Sequence, residues 1–112
     1  MKDDLVYLGH MLDTSRKAVE KLAGKSRADF DADDTLQLAM VHLVQTIGKS
    51  ARRVSEETRV RHPQIPIRQI VGMRHKVVHD YMDVDLDVVY EVVTKDLPPL
   101  IELLAAVVPP DA

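Results

Sequence analysis

The sequence predicts an all-α protein, an up-and-down four-helix bundle in a single domain over residues 1–112, with a kinked or broken last helix. Apolar residues recur every three to four positions in four separate stretches, the spacing of one face of a helix. Proline, glycine and aspartate stand between those stretches, where caps and turns are expected. No stretch carries a convincing strand pattern.

The first helix is expected from about Asp4 to Leu22, with Leu5, Leu8, Leu12, Val19 and Leu22 on one stripe and Gly24 as its stop. An acidic loop, Asp29 to Asp34, follows, and Asp33 or Asp34 suits the N-cap of the next helix. That second helix is expected from about Thr35 to Arg61, with Leu36, Met40, Leu43, Val44, Ile47, Ala51 and Val54 inward and Pro63 as its end. Pro66 fits the first turn of a third helix running to about Asp80, because a missing donor costs little there. The fourth begins at a capping Asp85, with Leu86, Val89, Val93 and Leu97 inward. Pro98 and Pro99 should kink or break it before a last apolar segment, Leu100 to Val108, since an interior proline costs roughly 3 kcal/mol.

Composition narrows the class. A 112-residue chain that is 46% hydrophobic can bury a core without staples. It has no cysteine, which removes disulfides and thiolate metal sites. The start shows no signal-peptide pattern and no stretch approaches a membrane span, so a cytoplasmic protein without a membrane partner is expected. A formal net charge of -3 argues against a broadly basic nucleic-acid coat. A local basic stretch nevertheless exists: Lys49, Arg52, Arg53, Arg59, Arg61, Arg68, Arg74 and Lys76, opposed there only by Glu56 and Glu57. It reads as a solvated face or as an RNA-steering patch. The few aromatic residues, Tyr7, Phe30, Tyr81 and Tyr90, favour recognition led by phosphate over base readout.

The chemistry concentrates in Arg74 to Tyr81, Arg-His-Lys-Val-Val-His-Asp-Tyr. On the wheel Arg74 shares a stripe with Ile67, Ile70, Val71, Val77, Val78 and Tyr81, where a leucine would be expected. A guanidinium there costs free energy unless an anion or a hydrogen-bond acceptor meets it. Arg74 and His79 are five residues apart, about 140° around one straight helix. Two copies related by a two-fold axis could join the arginine of one to the histidine of the other. Alternatively the helix ends near Val78 and His79 swings round. Both arrangements favour a dimer with composite sites.

The chemistry suggested is RNA cleavage without metal. A histidine with a pKa near about 6.5 can take a proton from a ribose 2′-hydroxyl or give one to the leaving oxygen, worth roughly 10²- to 10⁴-fold. An arginine fork matches phosphate and stabilises charge growing in the transition state. A tyrosine can bind phosphate or base. The same local pattern also fits an arginine that snorkels and a histidine that complements a helix end. His75 and His79, four apart, are a possible metal pair with Asp80 or Asp83, but the glutamate of His-Glu-x-x-His is missing. A calcium loop at Asp29, Asp31 and Asp33 fails because Asp34 and Met40 occupy the glycine and glutamate places.

Arg74-x-x-x-x-His79-x-Tyr81 resembles the signature of the HEPN superfamily in the form carried by HepT-type toxins. Further segments resemble that family in its order: Tyr7-Leu8, Ile47-Gly48, His62-Pro63-Gln64-Ile65-Pro66, Ile70 to Arg74, His79-Asp80-Tyr81, Val84-Asp85-Leu86 and Asp96-Leu97-Pro98. The resemblance implies an all-helical homodimer whose two motifs meet as one ribonuclease site, with Arg74 and His79 catalytic. It implies a toxin of a type VII toxin-antitoxin system, acting on tRNA or mRNA with no metal or cofactor. A nucleotidyltransferase antitoxin would transfer AMP from ATP and Mg²⁺ onto Tyr81, adding negative charge where RNA phosphate must bind. His75, Lys76, Asp80 and Tyr81 would support the site or bind RNA. The family usually has asparagine at His75, glycine at Asp80 and glutamate at Lys49. The competing class is a non-catalytic HEPN module that binds a nucleotidyltransferase or a nucleotide.

Overall fold

The computed structural model describes residues 2–80 and 83–110, with backbone alone at 2, 3, 78–80 and 83. It is the expected all-α bundle, built from α1 (Lys2–Leu22), α3 (Asp34–Arg52), α5 (Ile67–Val77) and a last segmented helix. Short α2 (Arg27–Asp31) and α4 (Glu56–Arg61) lie in the connections. Helix α3 is the centre, packed on α1 and on α5, while α1 also packs on the last helix. Leu8, Met11, Phe30, Met40, Val44, Ile47, Val77, Val93, Leu97 and Leu104 fill one continuous core. No helix among the described residues is long and apolar enough to cross a membrane.

Helix α1 stops where Gly24 takes φ +76°, the left-handed conformation that costs glycine least. Its inward stripe is centred on Asp4, Leu8, Met11, Ser15, Ala18 and Leu22. Leu5, expected inward, falls at the stripe's edge and is 39% exposed.

The expected acidic loop holds a helical turn. Ser26 Oγ accepts the Asp29 N–H, and the Asp29 carboxylate accepts the Ser26 N–H, a reciprocal cap that starts α2. The side-chain amide of Gln37 also donates to the Phe30 and Asp31 carbonyls at the end of α2, both at 3.0 Å. Arg27 lies against the Phe30 and Tyr90 rings and pairs with Asp31 and Asp87, leashing α2 to the last helix. Asp33 caps α3 as expected, accepting from the Leu36 N–H.

The second helix is not continuous to Arg61. It breaks between α3 and α4, because Ser55 leaves the helix to cap α4 through the Thr58 N–H. Asp4 fixes that break from across the bundle. Its buried carboxylate accepts from the Ser55 hydroxyl at 2.5 Å, the Ser55 N–H at 3.2 Å and the Thr58 hydroxyl. Arg59 reaches back to the Val54 and Ala51 carbonyls at the end of α3.

Helix α5 ends at Val77, three residues before the expected Asp80. The chain continues as a two-stranded antiparallel ribbon, β1 (Val78–Asp80) with β2 (Asp83–Val84), where no strand was expected. The Asp85 N–H closes it on the Val77 carbonyl at 2.7 Å. β-Branched residues suit extended pairing better than a last helical turn, and Val78 and Val84 stand opposite each other in the ribbon. Asp85 caps α6 (Leu86–Glu91) as expected. The prolines leave no gap: a π-helical turn, Val92–Asp96, leads directly into α7 (Leu97–Ala105). Leu97 N–H bonds Val92 O, and Pro98 and Pro99 fall in the first turn of α7, where no donor is required.

The Ser55 and Thr58 hydroxyls hold the Asp4 carboxyl below the usual carboxylate range. A group whose folded pKa is depressed stabilises above that range and loses its contribution as pH falls through it. Asp4→Ala is therefore expected to cost about 1–3 kcal/mol at neutral pH. It should also flatten the acid side of the stability curve, measured by urea unfolding between roughly pH 3 and pH 7.

Candidate functional site

Helix α5 buries Ile67, Ile70, Met73 and Val77. Arg74 sits beside that stripe, half-buried against α3. Two residues of α3 receive it. Gly48 leaves the space its stem crosses: a Cβ there would overlap Arg74 Cγ and lie 2.6 Å from Cδ. One turn earlier, Gln45 Oε1 accepts the Arg74 Nε–H at 3.1 Å. An amide oxygen thus meets the arginine, and neither Nη has a hydrogen-bond partner among the described residues.

Gln45, Arg52, Val71, Arg74 and His75 line an open groove of about 570 Å³. Among the described residues no carboxylate lines it, and Arg52 and His75 stand exposed on its walls. Leu38, Gln45 and Arg52 repeat every seven residues along one side of α3; Leu38 is 70% exposed and Gln45 half-buried. One face therefore carries an apolar anchor, a neutral acceptor and a cation in a line.

The structure divides the expected site residues. Arg74 and His75 share the groove. Lys76 lines a different one, with Met73, Lys95, Leu97 and Leu100. For His79 and Asp80 only the backbone is described, in β1. Tyr81 lies outside the described residues. Because α5 ends at Val77, the wheel angle between Arg74 and His79 no longer applies. Among the described residues no three histidine, aspartate or glutamate side chains converge as a metal site, and the side chain of His79 is outside that set.

The basic stretch is also divided. Arg59 serves the Ala51 and Val54 carbonyls, Arg61 pairs with Glu57 and Arg53 lies over the Tyr7 ring. The sequence did not point to Gln45, and it marked Gly48 without giving it a role. Gly48 did leave a signal: glycine inside a helix costs about 1 kcal/mol against alanine, so it wants a packing reason. Gln45 left none, being an ordinary polar residue within a helix.

Residues 11–107 match the family described as ribonuclease HepT-like. A candidate RNase of Caldanaerobacter subterraneus subsp. tengcongensis is 33% identical over 100 residues, 89% of each chain. A Methanocaldococcus jannaschii protein named as a gamma-glutamylcyclotransferase and candidate RNase is 33% identical over 101 residues, 90% of this chain but 46% of its own length. A protein of Thermococcus cleftensis named probable ribonuclease HepT is 33% identical over 72 residues, 64% of this chain and 66% of that one. No solved structure matches the chain.

Gly48→Ala should have opposite signs in two backgrounds. With Arg74 present, overlap with its stem is expected to cost about 1–3 kcal/mol. In Arg74→Ala the stem is gone, and the same change should stabilise by about 1 kcal/mol through helix propensity. Equal effects in both backgrounds, measured by urea unfolding, would remove the contact.

Proposed function

The chain belongs to the ribonuclease HepT-like family, and on that premise we propose that it is a metal-independent ribonuclease, the toxin of a type VII toxin-antitoxin system. The observation that carries the reading is Arg74. A neutral acceptor holds it, and among the described residues both Nη groups are unpaired and the groove has no carboxylate. A fork presented in this way suits a phosphodiester and the charge that grows on it during transfer.

In the proposed reaction a ribose 2′-oxygen attacks phosphorus as the P–O5′ bond breaks, giving a cyclic phosphate and a free 5′-hydroxyl. One His79 takes the 2′-proton and a second gives a proton to O5′, roles suited to imidazole near neutrality. Two copies of His79 require two copies of the chain, so the site is proposed to be composite at a two-fold interface. The exposed Leu38, in line with groove residues Gln45 and Arg52, supports a contact on that face. His75 and Arg52 would hold flanking phosphates. Lys76 and Asp80 are proposed as supporting residues.

Tyr81, two residues after His79, is the proposed acceptor of AMP from a nucleotidyltransferase antitoxin using ATP and Mg²⁺. Its modification would bring phosphate charge to the place that RNA phosphate must occupy.

Arg74→Ala and His79→Ala are each expected to lower RNA cleavage by at least about 10²-fold while the dimer persists. Gel assays on tRNA and mRNA in excess chelator, with light scattering for mass, test this. Wild-type rates in both variants would sink the catalytic assignment. Co-expression with the nucleotidyltransferase should add AMP to the peptide containing Tyr81, read by intact mass and peptide mapping.

A further inference from the structure

We propose that Gln45 and Gly48 are positioning residues for Arg74, and that together they make it grip phosphate end-on, through Nη1 and Nη2. The identity of the gripped group rests on the ribonuclease reading above; the positioning itself rests on geometry.

A guanidinium offers an oxyanion two bidentate edges, Nε with one Nη, or Nη1 with Nη2. Here the first edge is closed. The Nε–H is already given to Gln45 Oε1 at 3.1 Å, and the pair left open among the described residues is Nη1 and Nη2. The stem is pinned at a second point, where Cγ and Cδ lie over Gly48 in the space a Cβ would fill. Two contacts one turn apart on the central helix thus fix a side chain of high rotamer freedom before any substrate arrives.

The choice of glutamine matters. A carboxylate at that position would also take the Nε–H, but it would cancel the charge the phosphate needs. An amide oxygen orients the fork and leaves its full charge for the ligand. Holding it has a cost, because Gln45 Nε2 is buried without a hydrogen-bond partner among the described residues. A local rule broken beside a guanidinium with an open edge is the pattern expected at a functional position.

The test uses the full chain and two readouts. The first needs no RNA: the Arg74 Nε–H signal in a ¹H–¹⁵N spectrum, with its exchange rate against water. It should be protected in the wild type and in Gln45→Glu, and lost in Gln45→Met and in Gly48→Ala. Protection unchanged in Gln45→Met would overturn the proposal whatever the RNA assays give. If Gln45→Met does not fold, Gly48→Ala, which keeps Gln45, decides the matter in its place.

The second readout is the split of the kinetic constants. Gln45→Met should lower kcat roughly 10- to 100-fold, because the fork is misplaced. Gln45→Glu keeps the orientation and should mainly raise KM, by placing negative charge beside the phosphate. A merely structural role would shift Tm in both variants and leave this split absent, which would overturn the proposal. If Arg74→Ala cuts RNA at the wild-type rate while the Nε–H signal behaves as expected, the ribonuclease reading fails and the positioning geometry stands.

Discussion

A guanidinium beside an apolar helix stripe must find an acceptor, and the acceptor it finds decides what remains of its charge. Here Gln45 meets Arg74 with a neutral oxygen. That contact requires α3 and α5 to approach closely, and Gly48 is where they do. The central position of α3, with α1 on one side and α5 on the other, is therefore as much a condition of the site as of the core. The groove beyond Arg74 follows from the same packing, since Gln45 and Arg52 stand on α3 and Val71 and His75 on α5.

The ends of the elements do the remaining placement. Ending α5 at Val77 puts His79 in extended backbone directly after the helix that carries the arginine. The π-helical turn performs a different service, letting two prolines enter a helix without opening a gap in the wall that faces α1. Both devices solve local backbone problems with hydrogen bonds that an unbroken α-helix does not use.

Much of this was legible in the residues. Apolar spacing marked the long helices and most inward positions, though it passed over Met11, Ala18, Met73 and Val92 and placed Leu5 inward, and Asp33, Asp85 and Gly24 marked the ends through short-range chemistry. What escaped depends on partners distant in sequence. The break before α4 is fixed by Asp4, 51 residues from Ser55. The ribbon needs Val84 opposite Val78, and no alternation advertises so short a pair. The cap of α2 was hidden because Asp29 takes the place usually filled by glutamate or glutamine. At the site, Arg74 stood out because a charge fell on a greasy stripe. Gln45 did not, because a glutamine within a helix breaks no rule and its half-buried place between α3 and α5 shows only in the fold.

The Asp4 anchor also governs how the chain end opens. Helix ends and chain ends are the usual starting points of local unfolding. Here the first turn of α1 carries a carboxylate that holds Ser55 and Thr58, so fraying of that turn breaks three hydrogen bonds at the start of α4. The beginning of the chain is thereby locked to a junction 51 residues further along, and the two open together or not at all.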